Sequence, residues 1–195
     1  MLYIIAHILR DKFRWLWNII EWINGLAFSF RFGKRLKSFS FSRIPEGYDI
    51  RLINEVSTET LMDFFNHQPE EAFAYFKPHG FDKKSIKRLQ RNKSFLGYVL
   101  LDKKNDNIAG YCFIRCYLHG QGFRGRMVDI NYRGKGLGTA MNRILNDVGF
   151  GIGLRLFETV SKDNVASFRS AISASNVKVV KEMEKNELFL EILPD

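Results

Sequence analysis

The segment Val128-Asp-Ile-Asn-Tyr-Arg-Gly-Lys-Gly-Leu-Gly138 narrows the folds open to this chain more than any other stretch. A strand-like run from about Phe123 to Ile130 leads into it and a helical pattern from Thr139 to Val148 leads out, so it reads as a strand-to-helix turn. Glycines alternate at 134, 136 and 138, which removes the Cβ atoms that would hold a ligand away from the backbone. Amides at a helix N-terminus present about half a positive charge to an anion. Arg133 and Lys135 add two cations to the same turn. The expected product is a phosphate cradle. Neither common nucleotide fingerprint fits, because G-x-x-x-x-G-K-[ST] is absent and the dinucleotide motif needs a wider final gap between its glycines.

The helix after the cradle carries Leu137, Met141, Ile144, Leu145 and Val148 at helical spacing, an apolar stripe for burial against a sheet. Asn142, Arg143 and Asn146 are expected to face outward, and Gly149, Gly151 and Gly153 to end the helix. A strand at Leu154 to Val160 completes a β-α-β crossover, which puts the cradle at the carboxyl end of a parallel strand pair. Before it, the pattern predicts a strand at 49–53, helices at 58–66 and 82–92, and a hairpin of strands at 95–102 and 108–118. After it come a helix at 164–174 and a closing hairpin of strands at 177–183 and 188–193.

Forty-six per cent hydrophobic residues over 195 positions suffice for one packed domain with an appendage, placed at 48–195 and 1–47 with the break at Pro45-Glu-Gly47. The net charge of +9 favours an anionic partner: a phosphate-bearing small molecule, nucleic acid or an anionic membrane surface. Cys112 and Cys116, about 13 Å apart if they share a strand, cannot bridge each other and read as buried thiols of a reducing compartment. The histidines at 7, 67, 79 and 119 are scattered, so no metal site is expected.

Met1 to Phe30 has a different character. Polar residues recur every three or four positions on an otherwise apolar helix that holds all three tryptophans, and Arg31, Lys34, Arg35, Lys37 and Arg43 follow, interleaved with Phe32, Phe39 and Phe41. The stretch free of basic residues, Trp15 to Phe30, is shorter than the roughly 20 apolar residues a bilayer crossing needs. Three readings stay open: an in-plane membrane anchor through residues 1–43, a helix packed on its own domain or in a homodimer, and a base-stacking nucleic-acid segment, the last least favoured.

The strand, glycine turn and helix resemble motif A of the GCN5-related N-acetyltransferase (GNAT) superfamily, V-x-P-x-x-[RQ]-G-x-G-[IL]-[GA]. Val128, Arg133, Gly134, Gly136, Leu137 and Gly138 match, with Ile130 in place of the frequent proline. The resemblance implies an α/β (α+β) fold with a mixed, mostly antiparallel sheet, a central splayed parallel strand pair, flanking helices and here an added N-terminal amphipathic helix. It also implies acetyl-CoA as cosubstrate, with Arg133, Gly134, Lys135, Gly136, Leu137, Gly138 and Thr139 at the pyrophosphate and Val128 and Ile130 along the thioester channel. On the family's second motif Asn164 and Ser167 match as CoA contacts, while the tyrosine that protonates the departing thiolate is Ala171. Asn164 reads equally as a helix N-cap.

Acyl transfer to an amine requires a neutral nucleophile, although an ordinary primary amine has a pKa near 10. A base or a water chain to one is therefore needed. Asp129 and Glu158, on the strands expected to flank the acyl group, are the candidate bases. Tyr111, Tyr117, Tyr132, His79 and His119 are candidate acids. A backbone N–H near Val128 to Ile130 is the expected oxyanion donor by resemblance. The aromatic segment Phe73 to Phe81 either shapes an acceptor site or seals a loop onto the core. The functional expectation is a cytoplasmic, or peripherally membrane-bound, N-acetyltransferase acting on a small-molecule amine such as an amino sugar. A non-catalytic acyl-CoA-binding module and a basic nucleic-acid-binding protein are the alternatives.

Overall fold

The computed structural model describes residues 14–194. The portion of the N-terminal helix expected before Arg14 lies outside the described residues. Helix α1 (Arg14–Lys37) precedes β1 (Tyr48–Leu52), α2 (Thr58–Asn66), α3 (Lys83–Arg91), β2 (Phe95–Asp102), β3 (Ile108–Cys116) and β4 (Gln121–Val128). Helix α4 (Leu137–Ile152), β5 (Arg155–Ser161), α5 (Val165–Ile172), β6 (Asn176–Met183) and β7 (Glu187–Leu193) complete it. The element boundaries follow local chemistry. Ser57 caps α2 through its hydroxyl, Asp82 caps α3 by accepting from the amides of Lys84 and Ser85, and Asn164 caps α5 by accepting from Ser167.

The seven strands form one sheet in the order β1-β2-β3-β4-β5-β7-β6, antiparallel throughout except for β4 and β5. This is the mixed, mostly antiparallel fold expected. The parallel pair is joined only over Gln121, Gly122 and Phe123 against Arg155, Leu156 and Phe157. Beyond those residues the two strands diverge, and the gap between them opens toward the glycine turn.

The sheet buries a core on each face. On one, Phe28 and Phe32 of α1 and Met141, Ile144, Leu145, Val148 and Ile152 of α4 pack over Tyr98, Leu100, Cys112, Ile114 and Leu156. On the other, α2 and α3 bring Leu61, Phe64, Phe65, Ile86 and Leu89 onto Phe95, Val99, Tyr111 and Phe113. Cys112 and Cys116 share β3 as free buried thiols, and burial pushes the Cys112 thiol up to about 12.

Helix α1 is docked on this core. Asn24 donates to Ser94 Oγ and the Cys116 carbonyl and accepts from the Leu118 amide, each at 2.9 Å, while Arg35 donates to the Ile152 carbonyl. Helix α1 is thus packed through one face, whereas Trp15, Ile19, Ile20, Trp22, Ile23, Leu26 and Phe30 are exposed.

Two expectations for α4 need correction. Asn142 and Asn146 are buried, not outward, because α4 is enclosed by the sheet on one side and by α5 on another: Asn146 accepts from Arg124 and Asn142 donates to Ser170 Oγ. The helix also runs through Gly149 and Gly151 and ends only at Gly153, whose φ of +90° is the left-handed terminator. Gly149 is a packing residue: a Cβ there would stand 2.6 Å from Leu156 Cδ2.

Candidate active site

The cleft between the diverging strands has a volume of about 830 Å³ and continues onto the N-terminus of α4. Its floor is β4 from Arg124 to Val128, one wall is Glu158 and Thr159 of β5 with α5, and the glycine turn forms the end. The turn begins where Asp129 caps a short 3-10 segment, Ile130–Tyr132, and then needs left-handed backbone at Gly134 (φ +76°) and Gly136 (φ +74°), the latter being the N-cap of α4. At neither glycine would a Cβ meet another atom within 4 Å, so both faces are open to a ligand.

Ladder alternation aims the backbone of β4. The Asp129 amide donates to the Ala109 carbonyl of β3. In an antiparallel ladder the next residues along, Val128 and Arg126, therefore turn their peptide groups the other way, into the gap. Their unpaired amides and carbonyls suit an extended, amide-bearing ligand.

Of the residues singled out from sequence, Val128, Arg133, Gly134, Gly136, Leu137, Gly138, Thr139, Asn164, Ser167 and Glu158 line the cleft. Three others do not. Lys135 stands with its ammonium 4.7 Å over the Tyr132 ring. Ile130 lies outside the cleft, and its amide, offered as an oxyanion donor, is taken by Gln68 Oε1 at 3.1 Å. Asp129, offered as a base, is a buried cap: Oδ1 accepts from the Asn131 amide and Oδ2 from Gln68 Nε2 at 2.6 Å. Gln68 reaches both groups because the end of α2 abuts the turn, a contact that no local pattern encodes.

Glu158 is where the gap is most polar. Its Oε2 accepts from Arg124 Nε at 2.7 Å and from Arg126 Nη1 at 3.4 Å, with all three side chains nearly inaccessible to water. Arg126 continues across the gap and donates to the Ser167 carbonyl at 2.8 Å, tying β4 to α5. Burial holds both guanidinium groups below the ordinary arginine range, Arg126 at about 10, with Glu158 opposing the shift. Glu158 Oε1 and Arg124 Nη2 are buried without a hydrogen-bond partner, and both residues line the cleft. An acceptor and a donor thus remain unspent beside each other, at a free-energy cost that a polar ligand would relieve. Arg124 and Arg126 went unrecognised in the sequence. Two charges at alternate positions of a strand otherwise destined for burial were the signal available.

The candidate acids are placed elsewhere. The Tyr111 hydroxyl is paired with His79 Nε2 at 2.9 Å within the aromatic core. Tyr132 lends its ring to the cleft, but its hydroxyl donates to Asp102 Oδ2 at 3.0 Å. Tyr117 stacks on His119, which pairs with Gln121, at the turn beyond β3. In the aromatic segment Phe73, Phe76 and Phe81 pack on the core, as the sealing alternative expected, while Tyr75 is 55% exposed and borders the cleft. Ala171 is fully buried, so no hydroxyl stands at that position. Among the described residues no group of His, Cys, Asp and Glu is arranged to hold a metal ion.

No family model matches the sequence, and no curated protein does. Solved structures do match the fold. The GNAT domain of S. lividans PAT superposes with a TM-score of 0.63 at 15% identity, covering 73% of this chain and 88% of that one. A GNAT-family acetyltransferase from Bacillus anthracis gives 0.60 at 14% identity over 76% and 95% of the two chains. The protein yncA of Salmonella typhimurium, solved with its cofactor acetyl-CoA, gives 0.60 at 16% identity over 76% and 94%. With the splayed strand pair and the glycine turn in place, the chain has the fold of the GCN5-related N-acetyltransferase superfamily.

Proposed function

We propose that this chain is an acyl-CoA-dependent N-acyltransferase, moving acetyl from acetyl-CoA to a primary amine of a small molecule, with amino sugars among the candidate acceptors. The observation that carries the reading is the divergence of β4 from β5 directly onto an open, positively charged helix N-terminus. The fold is that of acetyltransferases, one of them solved with acetyl-CoA. The transferase unit is taken to begin at Tyr48, with α1 docked on it. Free, buried cysteines fit a reducing compartment, hence a cytoplasmic setting.

In this reading the amides of residues 133–139 hold the CoA pyrophosphate, with Arg133 supplying charge, and the peptide groups of Arg126 and Val128 pair with the pantetheine amides. The thioester then lies in the gap beside Glu158. The unspent Glu158 Oε1 takes the amine's proton directly or through a water, and a peptide N–H of β4 not engaged by the pantetheine stabilises the tetrahedral oxyanion. Attack forms the C–N bond, collapse breaks the C–S bond, and the thiol, with a pKa near 8.5, departs with modest assistance. The absence of a hydroxyl at Ala171 favours a second reading, a non-catalytic acyl-CoA-binding module.

Calorimetric titration with acetyl-CoA, followed by thiol release against a panel of amines and amino sugars, tests both. Binding with amine-dependent release is the expected result. Binding without release establishes the module instead, and no binding removes CoA from the account. Gly136→Val is expected to leave the chain folded and abolish binding.

A further inference from the structure

Helix α1 has two faces of opposite fate. Asn24, Gly25, Phe28 and Phe32 are turned to the domain, while Trp15, Ile19, Trp22, Ile23, Leu26 and Phe30 share the opposite arc and remain exposed, Trp22 by 65% and Phe30 by 94%. At 1.5 Å per residue this apolar stripe is about 22 Å long. Single exposed apolar side chains are ordinary, but a continuous row of six on one helix is a surface with a partner.

The surroundings of the stripe identify the partner's charge. Along one flank lies α3, whose Lys84, Lys87, Arg88 and Arg91 are exposed, followed by Lys93. Between the helices is a groove of about 380 Å³ in which Trp22 and Leu26 face Arg88, Arg91 and Lys93. Its carboxylate, Glu21, lies 3.8 Å from Arg115, and Arg88 donates to Asn18 at 3.3 Å. At the end of the stripe the helix finishes in exposed Lys34 and Lys37. An apolar centre, tryptophans among it, with a cationic margin matches an anionic lipid surface: rings and aliphatic chains enter the acyl boundary while the margin meets phosphate. A second copy of the chain would bring two like-charged margins together. Nucleic acid offers nothing to Ile19, Ile23 and Leu26.

We infer that the outer face of α1, with the α3 cations beside it, docks this protein in the plane of an anionic bilayer. No helix among the described residues is long and apolar enough to cross a membrane, so the mode is interfacial. The site is independent of the transferase reading. Helix α1 packs near the C-terminal end of α4, and the cradle lies at the other end of that 16-residue helix, about 24 Å away, so docking leaves the cleft open.

The chain carries its own probe, since its three tryptophans, Trp15, Trp17 and Trp22, all lie on α1. The full chain is mixed with vesicles of phosphatidylcholine alone or with phosphatidylglycerol at roughly three to one, and flotation and tryptophan emission are recorded. The expected result is co-flotation and a blue shift with the anionic vesicles, weakened by salt. Ile23→Glu with Phe30→Glu, both exposed, should lower partitioning roughly tenfold or more without moving the thermal midpoint. Arg88→Glu with Arg91→Glu should lower it at low salt. Failure to float with either vesicle, or flotation indifferent to both double variants, overturns the proposal. So does a concentration-dependent dimer that the apolar variants dissociate and that does not bind vesicles.

Discussion

On the sheet face covered by α1, α4 and α5, two guanidinium groups, a carboxylate and two carboxamides are buried among aliphatic side chains. On the face covered by α2 and α3 the central feature is a cluster of rings, Phe65, Phe81, Phe95, Tyr111 and Phe113, around the imidazole of His79. The first arrangement, in which Glu158 Oε1 and Arg124 Nη2 already have no hydrogen-bond partner, depends on every charged partner being present, since a buried ion left alone is costly. The second is built of rings, with charge confined to its margin, where the Arg115 guanidinium stands 5.8 Å over the Phe95 ring. The cleft lies in the gap where the strands diverge, with the fixed charges of the first face on one side and Tyr75 and Phe76 from the side of the second on the other. The aromatic face gives the sheet a rigid backing.

The comparison is most severely tested at Glu158. Its replacement by alanine strands two buried guanidinium groups, and a loss of about 3–5 kcal/mol in urea unfolding is expected. Replacing Arg124 by Met together with Glu158 by Leu should recover much of that loss. If the double variant is no better than the single one, the arginines and carboxylate are not an electrostatic unit.

The aromatic face should respond to pH instead. Burial pushes the His79 imidazole down to about 4 from its ordinary 6.5, against the pull of the Gly80 carbonyl and with Arg115 and Arg88 adding to the fall. The unfolded chain then binds a proton that the folded chain refuses, so stability is full above pH 6.5 and declines as pH falls toward 4. The loss is on the order of 3 kcal/mol over that window, and His79→Gln should flatten it. An unchanged slope in the variant would assign the acid sensitivity to other groups.

Two glycines at opposite ends of α4 separate packing from ligand approach. Gly149→Val meets Leu156 and is expected to cost about 1–3 kcal/mol by overpacking. Acetyl-CoA affinity in the fraction that remains folded should be unaffected. Gly136→Ala meets no atom and costs only about 1 kcal/mol for its left-handed backbone, yet should weaken acetyl-CoA measurably in a calorimetric titration. Equal effects of the two on affinity would contradict the division.

Much of this was legible in the chain itself. The cradle, the helix behind it and the α2 and α3 boundaries follow from short-range signals: alternating glycines, a 3.6-residue apolar period, and capping by Ser57 and Asp82. Arg133, Gly134, Gly136, Leu137, Gly138 and Thr139 of the cleft lining are contiguous in the turn and the helix it feeds, whereas Asn164 and Ser167 were named through the resemblance and Glu158 from its expected strand. The splayed pair was expected only through the resemblance, and the structure supplied its extent.

What the sequence could not settle is decided by contacts between distant segments. Asp129 is a cap and not a base because Gln68, 61 residues away, reaches it from α2. Asn142 and Asn146 face inward because α5 and Arg124 provide polar partners inside an otherwise apolar layer. Gly149 continues its helix because Leu156 needs the space. Local propensity and periodicity determined which elements form and where the glycine turn lies. Only the tertiary structure decided which polar groups are spent on one another and which, like Glu158 Oε1, are left without a protein partner, since hydrogen bonding and desolvation depend on neighbours that the chain brings together only when folded.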